Sequence, residues 1–290
     1  MTEVERGGRV VELAAPPAAG ALYRRAVLRS LPGVGARGGD TLPDVELVLR
    51  GATVDRARLA EYDRVCGFGL SDTLPATYPH ILAFPLAMQL MSTRDFPLPP
   101  VGLVHVANRI TIHRPITADE RLDIAVRAVD LRPHERGRQF DVVATVHVDG
   151  ELVWREVSTY LRRERPGGGK PPTSRSDSPP VSARWRVSQR VGVAYAAVSG
   201  DRNPIHTSRV GARLFGFPRP IAHGMWSKAR CLAALANRLP DAYTVEVFFK
   251  LPMPLPATVA FSATRDATSG WEFALRDARS GRPHLVGTVR

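Results

Sequence analysis

The sequence predicts an α+β fold in which one unit occurs twice, each copy a long central helix wrapped by an antiparallel sheet. Three observations carry this expectation. A segment poor in apolar side chains divides the chain, short motifs recur on both sides of it at similar offsets, and each side holds one apolar helical stretch followed by several alternating segments.

The dividing segment, RRERPGGGKPPTSRSDSPPVS from Arg162 to Ser182, is built of Gly, Pro, Ser and charge and is expected to be a flexible linker. The expected domains are therefore 1–163 with an N-terminal extension, a linker over 164–182, and 183–290. YDRVCGFG from Tyr62 parallels YAAVSGDR from Tyr195 at an offset of 133, and AFPL from Ala83 parallels AHGM from Ala222 at 139. IHRPI around Pro115 answers FKLPM around Pro252 at 137.

In chain order, the residues up to about Pro43 include ALYRRAVLRSL, expected as an extra strand. Each copy then reads as a short strand, a turn region, the helix and several strands. The first helix, HILAFPLAMQLM, carries Pro85, Met88 and Met91. After it, HVANRITIHR, RLDIAVRAVDL, QFDVVATVHV and ELVWREVSTYL alternate at period two, with Asp149-Gly150 supplying a type I′ hairpin turn. The second helix is expected from His223 to about Leu239, because Met225, Ala229, Leu232, Ala236 and Leu239 recur at helical spacing and Pro240 follows. TVEVFFKL, TVAFSATR, GWEFALRDA and HLVGTVR complete the second copy. One helix wrapped by an antiparallel sheet is the hotdog architecture, and two in one chain make a double hotdog.

Composition narrows the function classes. The 290 residues are 44% hydrophobic, enough for two cores, and MTEVERGGRV has no apolar run of the secretory kind. The richest apolar run is short and broken by Pro85, so no membrane span is expected. Cys66 and Cys231 stand far apart, which fits a reducing, cytoplasmic setting. The net charge is +12, and all but Lys170, Lys228 and Lys250 of the basic residues are arginines, scattered along the chain. No nucleic-acid-binding motif accompanies this charge; a CoA thioester or an acidic acyl carrier protein would use it equally well.

The stretch YAAVSGDRNPIHTSRVGARLFGFPRPIAHGMW closely resembles the hydratase 2 signature of the MaoC-like dehydratases: a tyrosine, then small-Gly-Asp-x-Asn-Pro-aliphatic-His, then aliphatic-x-His-Gly-Met. The resemblance implies hotdog domains and reversible syn addition of water to trans-2-enoyl thioesters, giving (R)-3-hydroxyacyl thioesters, in fatty-acid metabolism. It implies an (R)-specific enoyl-CoA hydratase or a 3-hydroxyacyl-thioester dehydratase.

The residue chemistry reads the same way. Water addition to an enoyl thioester needs a group to orient and deprotonate water, a proton source for the α-carbon, and a donor for the charge that develops on the thioester oxygen. Asp201 and His206, five apart across an Asn-Pro turn, can share one water; which is the formal base stays open at this point. Gly224, opening the second helix, is the expected backbone N–H donor to the oxyanion. Asn203 is expected to tie the turn down, and His223 to hold the helix entrance by bonding a loop. No cofactor is expected, and no metal, since Asp201, His206 and His223 match no familiar zinc spacing.

The offsets set Phe68 opposite Asp201, Thr73 opposite His206 and Pro85 opposite Gly224, so the first copy is expected to be catalytically empty. Met88 and Met91 read either as plain core or as the lining of an acyl tunnel. Arg209, Arg213, Arg219 and Lys228 flank the expected site and suit CoA phosphates or an acidic carrier. The substrate thioester and a second copy of the chain, as a homodimer, are the expected partners. A hotdog thioesterase and a non-catalytic acyl-thioester binding protein are the competing readings.

Overall fold

The computed structural model describes residues 8–18, 39–164, 180–266 and 270–290. The expected strand in ALYRRAVLRSL and most of the expected linker, 165–179, lie outside the described residues. One eleven-stranded sheet runs through the molecule in the order β1-β2-β4-β5-β6-β3-β8-β11-β10-β9-β7. In chain order the strands of the first half are β1 (Arg9–Glu12), β2 (Val45–Ala52), β3 (Leu103–Ile112), β4 (Leu122–His134), β5 (Gly137–Val148) and β6 (Glu151–Arg163). The second half has β7 (Ala183–Val187), β8 (Tyr243–Phe249), β9 (Ala257–Arg265), β10 (Trp271–Asp277) and β11 (Pro283–Val289).

The order β2-β4-β5-β6-β3 is repeated as β7-β9-β10-β11-β8, and the copies meet where β3 pairs antiparallel with β8, Ala107 opposite Phe248 through Ile112 opposite Tyr243. This is a double hotdog: the two sheets are spliced edge to edge, so each half closes the other's open edge. The β5–β6 hairpin turns on Asp149 and Gly150 with φ of 50° and 83°, as a type I′ turn requires.

The regions read as turns ahead of the central helices are themselves helical. α1 (Arg56–Cys66) and α3 (Val191–Ser199) carry Tyr62 and Tyr195, whose ring centroids stand 6.2 Å apart. Both end on a left-handed glycine, Gly67 at φ 83° and Gly200 at φ 79°, which is the physical content of the 133 offset. Asp55 starts α1 by accepting the amides of Ala57 and Arg58 at 2.8 and 3.2 Å.

The central helices are α2 (Tyr78–Met91) and α6 (Gly224–Ala233); between α3 and α6 lie two short helices, α4 (Pro204–Thr207) and α5 (Arg209–Leu214). Ile81, Leu86 and Leu90 of α2 are fully buried, and Met88 and Met91 pack in the same core. Two expectations are corrected here. The second helix stops at Ala233, six residues early, and continues as a 3₁₀ turn over Ala236–Arg238, because the ring of Pro240 forces Leu239 into extended backbone (φ −91°, ψ 143°). Pro85 lies inside α2 while Gly224 begins α6, so the two are not equivalent. Matching hydrogen bonds give the register: Leu74 N–H to Ile116 O and Ala118 N–H to Asp72 O answer Ala222 N–H to Met253 O and Leu255 N–H to Pro220 O. Counting on from these bonds sets Ala76 opposite Gly224.

Candidate active site

Chain geometry after Gly200 builds the site. The Asp201 amide donates to Ser199 Oγ at 3.1 Å, and Asp201 Oδ1 accepts the Asn203 amide at 3.2 Å, turning the chain. Asn203 then caps α4 by accepting the Ile205 amide at 3.3 Å, ahead of Pro204 in the first helical position. This one-turn helix presents His206.

The ring of His206 donates from Nδ1 to the carbonyl of Ile221 at 2.8 Å; a carbonyl can only accept, so the proton is on Nδ1 and Nε2 keeps its lone pair. His223 donates from Nε2 to the Asp201 carbonyl at 3.0 Å, and its ring stacks on that of His206 with centroids 3.7 Å apart. The same nitrogen lies 3.8 Å from the Asp201 carboxylate. Burial lowers the pKa of His206, the Asp201 carboxylate opposing it, and burial beside His206 lowers that of His223 to about 3. Both rings are therefore neutral near pH 7. Asp201 keeps 27% side-chain exposure where His223 has 2%, so the carboxylate is the member of this pair that solvent reaches.

The structure thus brings Asp201, His206 and His223 together, with Gly224 next in sequence at the start of α6. No side chain caps that helix, which leaves its first amides for a ligand. A Cβ at Gly224 would come within 2.9 Å of the Phe249 ring, so the close approach requires glycine. Asn203 works one step back, on the turn. One ligand atom from each of Asp201, His206 and His223 lies within 4.8 Å of the others, compact enough for a cation, although the two carbonyl bonds already occupy one nitrogen of each ring.

In the first half Phe68, next after Gly67 as Asp201 is next after Gly200, stacks on Tyr62 at 6.5 Å, and the buried Trp154 indole donates to the Ala76 carbonyl at 2.8 Å. Thr73 does not stand opposite His206: it bridges to Thr117 as Ile221 bridges to Pro254, so the same hydrogen-bond frame that sets Ala76 opposite Gly224 sets Thr73 opposite Ile221. Strand register sets Trp154 opposite Ile112 as it sets Leu285 opposite Phe249, so an indole fills the first half where the second half has a leucine.

A second polar cluster, absent from the sequence reading, lies between the halves. Lys228 on α6 is fully buried rather than a surface flank of the site, and its Nζ donates to Asn108 Oδ1 and to the Val245 carbonyl at 3.3 Å. Asn108 Nδ2 donates to Glu156 Oε1 at 2.6 Å, and His80 Nδ1 lies 2.9 Å from both Glu156 oxygens. Burial pulls Lys228 down to about 7; burial pushes Glu156 up, but His80, Asn108 and Lys228 together hold it below the usual carboxylate value. The signal was present in the alternation of β6, where Glu156 and Ser158 fall on buried positions. From Phe249, ring contacts run to His105 at 4.9 Å and on to Tyr160 at 4.7 Å, so strands of the first half wall the region beside Gly224.

Fold and site together define a double-hotdog protein with one candidate centre, in which a carboxylate and a neutral imidazole meet beside an uncapped helix start. The MaoC-like domain model matches residues 173–274. The chain is 40% identical to 3-hydroxyacyl-thioester dehydratase X of Mycobacterium tuberculosis over 87% of its own length and 91% of that protein. The crystal structure of HtdX from the same organism superposes with a TM-score of 0.76 at 38% identity, covering 84% of this chain and 99% of that one. The (R)-specific enoyl-CoA hydratase of Aeromonas caviae is 32% identical over 30% of this chain and 67% of its own. The chain belongs to the MaoC-like dehydratase family, and is accordingly a hydro-lyase of the hydratase/dehydratase type acting in fatty-acid metabolism.

Proposed function

We propose that the protein interconverts trans-2-enoyl thioesters and (R)-3-hydroxyacyl thioesters at the centre made by Asp201, His206 and Gly224. The observation that carries this reading is the proton placement on His206: Nδ1 is committed to the Ile221 carbonyl, which leaves Nε2 as the basic atom of a neutral ring gathered with the Asp201 carboxylate in one compact cluster.

In the hydration direction a water donates one hydrogen bond to Asp201 and its other proton to His206 Nε2 as its oxygen bonds the β-carbon. The electron pair of the double bond moves toward the thioester carbonyl, whose oxygen is met by the Gly224 amide at the start of α6. The proton held by His206 then passes to the α-carbon on the same face, so addition is syn and the enzyme ends as it began. Asn203 and His223 hold Asp201 in place, through the turn and through its carbonyl.

In this reading residues 183–290 carry the chemistry and residues 1–163 are a catalytically empty wall, with the linker between them. The two cysteines, both free and buried, fit a cytoplasmic enzyme. Among the described residues no helix is long and apolar enough to cross a membrane. The test is loss of conjugated absorbance when protein is added to a trans-2-enoyl-CoA. Asp201→Ala and His206→Ala should each slow it by about a hundredfold or more. Release of free CoA without hydration would mark a thioesterase, and binding with unchanged absorbance a non-catalytic receptor.

A further inference from the structure

Helix α5, directly after the catalytic turn, has its polarity reversed. Its buried positions are Gly211 and Ala212, while Val210 and Leu214 stand 70% and 78% exposed one turn apart on one face, with Phe215 44% exposed beyond them. The core gains nothing from these side chains, and exposed apolar clusters of this kind mark interaction surfaces. Arg209 and Arg213 form the neighbouring exposed row on α5, and exposed Arg202 and Arg219 sit before α4 and beyond α5. Between Asp201 and Asp241 the chain contains no carboxylate. Arg219 also lines a cleft of about 500 Å³ with Arg184 and Arg279, where the one carboxylate, Asp277, is held by Ser280 and the Arg279 amide.

From this face we infer that the protein takes its substrate from an acidic acyl carrier protein, docked on Val210, Leu214 and Phe215 with Arg209, Arg213 and Arg219 around them. The inference rests on the thioester reading above and adds the carrier that delivers it. Covalent continuity supports it: Ser208 ends α4, which bears His206, and caps α5, so a carrier seated here delivers its phosphopantetheine arm next to the reacting groups. Charge supports it too. A second copy of this chain, also at +12, would bring the same arginines against themselves in a twofold contact. An acidic partner complements the rim and leaves the apolar centre to be buried.

The test uses the full chain, one trans-2-enoyl group on CoA or on a purified acidic holo-acyl carrier protein, and the variants Arg213→Glu and Leu214→Glu, with Arg213→Gln as a milder change. For the carrier-bound substrate kcat/KM should fall about tenfold or more, and for the CoA substrate stay within about twofold. Titration with unacylated holo-carrier should show binding that both charge reversal and added salt weaken. Equal losses on the two substrates, or no loss on the carrier, would overturn the inference. So would failure of the carrier to bind the unaltered chain, dissociation of a dimer by the variants, or binding at this face to phosphatidylglycerol vesicles in place of the carrier. Carrier binding without turnover of either thioester would leave the docking face standing and remove the proposed reaction.

Discussion

Gly224→Ala tests the oxyanion donor by the smallest available change. The added methyl would lie 2.9 and 3.0 Å from Phe249 Cε1 and Cδ1, where carbon atoms ordinarily meet at about 3.5–4.0 Å. Something must move by about half an ångström. Phe249 is held by strand pairing to Leu285 and by the ring of His105, so the start of α6, which carries the amide, is the part that yields. Alanine would ordinarily favour a helix over glycine by up to about 1 kcal/mol, so the fold should survive. Removing one oxyanion donor costs about 10²–10³ in kcat, and a displaced donor should cost about 10–100-fold. Steady-state hydration of an enoyl thioester reads this directly. Adding Phe249→Leu should recover part of the loss by opening the space. Unimpaired kcat in Gly224→Ala would refute the assignment.

Five further outcomes are expected. Because the folded pKa of His206 is depressed, the acid limb of kcat/KM should fall below the ordinary histidine value of 6.5, and a limb above it would oppose His206 as the base. Stability linked to neutral His223 is complete above 6.5 and is lost as pH falls toward about 3, so Tm should decline across that window. Lys228 adds stability as pH rises from about 7 toward 10.5, a slope that Lys228→Met should remove from thermal melts. Glu156→Ala removes the buried carboxylate that His80 and Asn108 bond and whose charge opposes that of Lys228, and should cost about 3–5 kcal/mol in urea unfolding, whereas Thr73→Ala should leave kcat unchanged because the first half is read as empty.

The doubling of the fold was legible because repetition leaves marks that backbone physics enforces: Gly67 and Gly200 both end helices at positive φ, and the Pro115 and Pro252 motifs follow the two strands that pair across the junction. The Asp201–His206 turn was legible for a similar reason, since its local hydrogen bonds are written into adjacent residues. The 139 offset failed because AFPL and AHGM share only an opening alanine and an apolar fourth residue, and stand in different hydrogen-bond frames. Helices α1 and α3 were passed over although Asp55 and the closing glycines are ordinary helix boundaries. The Lys228–Asn108–Glu156–His80 cluster joins four elements far apart in the chain, and only tertiary packing reveals that a lone lysine on an apolar helix has partners.

The central claim is that Asp201 and His206 act on one water as a unit. Rates of enoyl-thioester hydration for Asp201→Asn, His206→Gln and the double variant test it most directly. Two groups acting together should lose their effects non-additively, the double variant being little slower than the slower single one. A double variant slowed by the full product of the two single losses would mean that the carboxylate and the imidazole work independently, and would contradict the account.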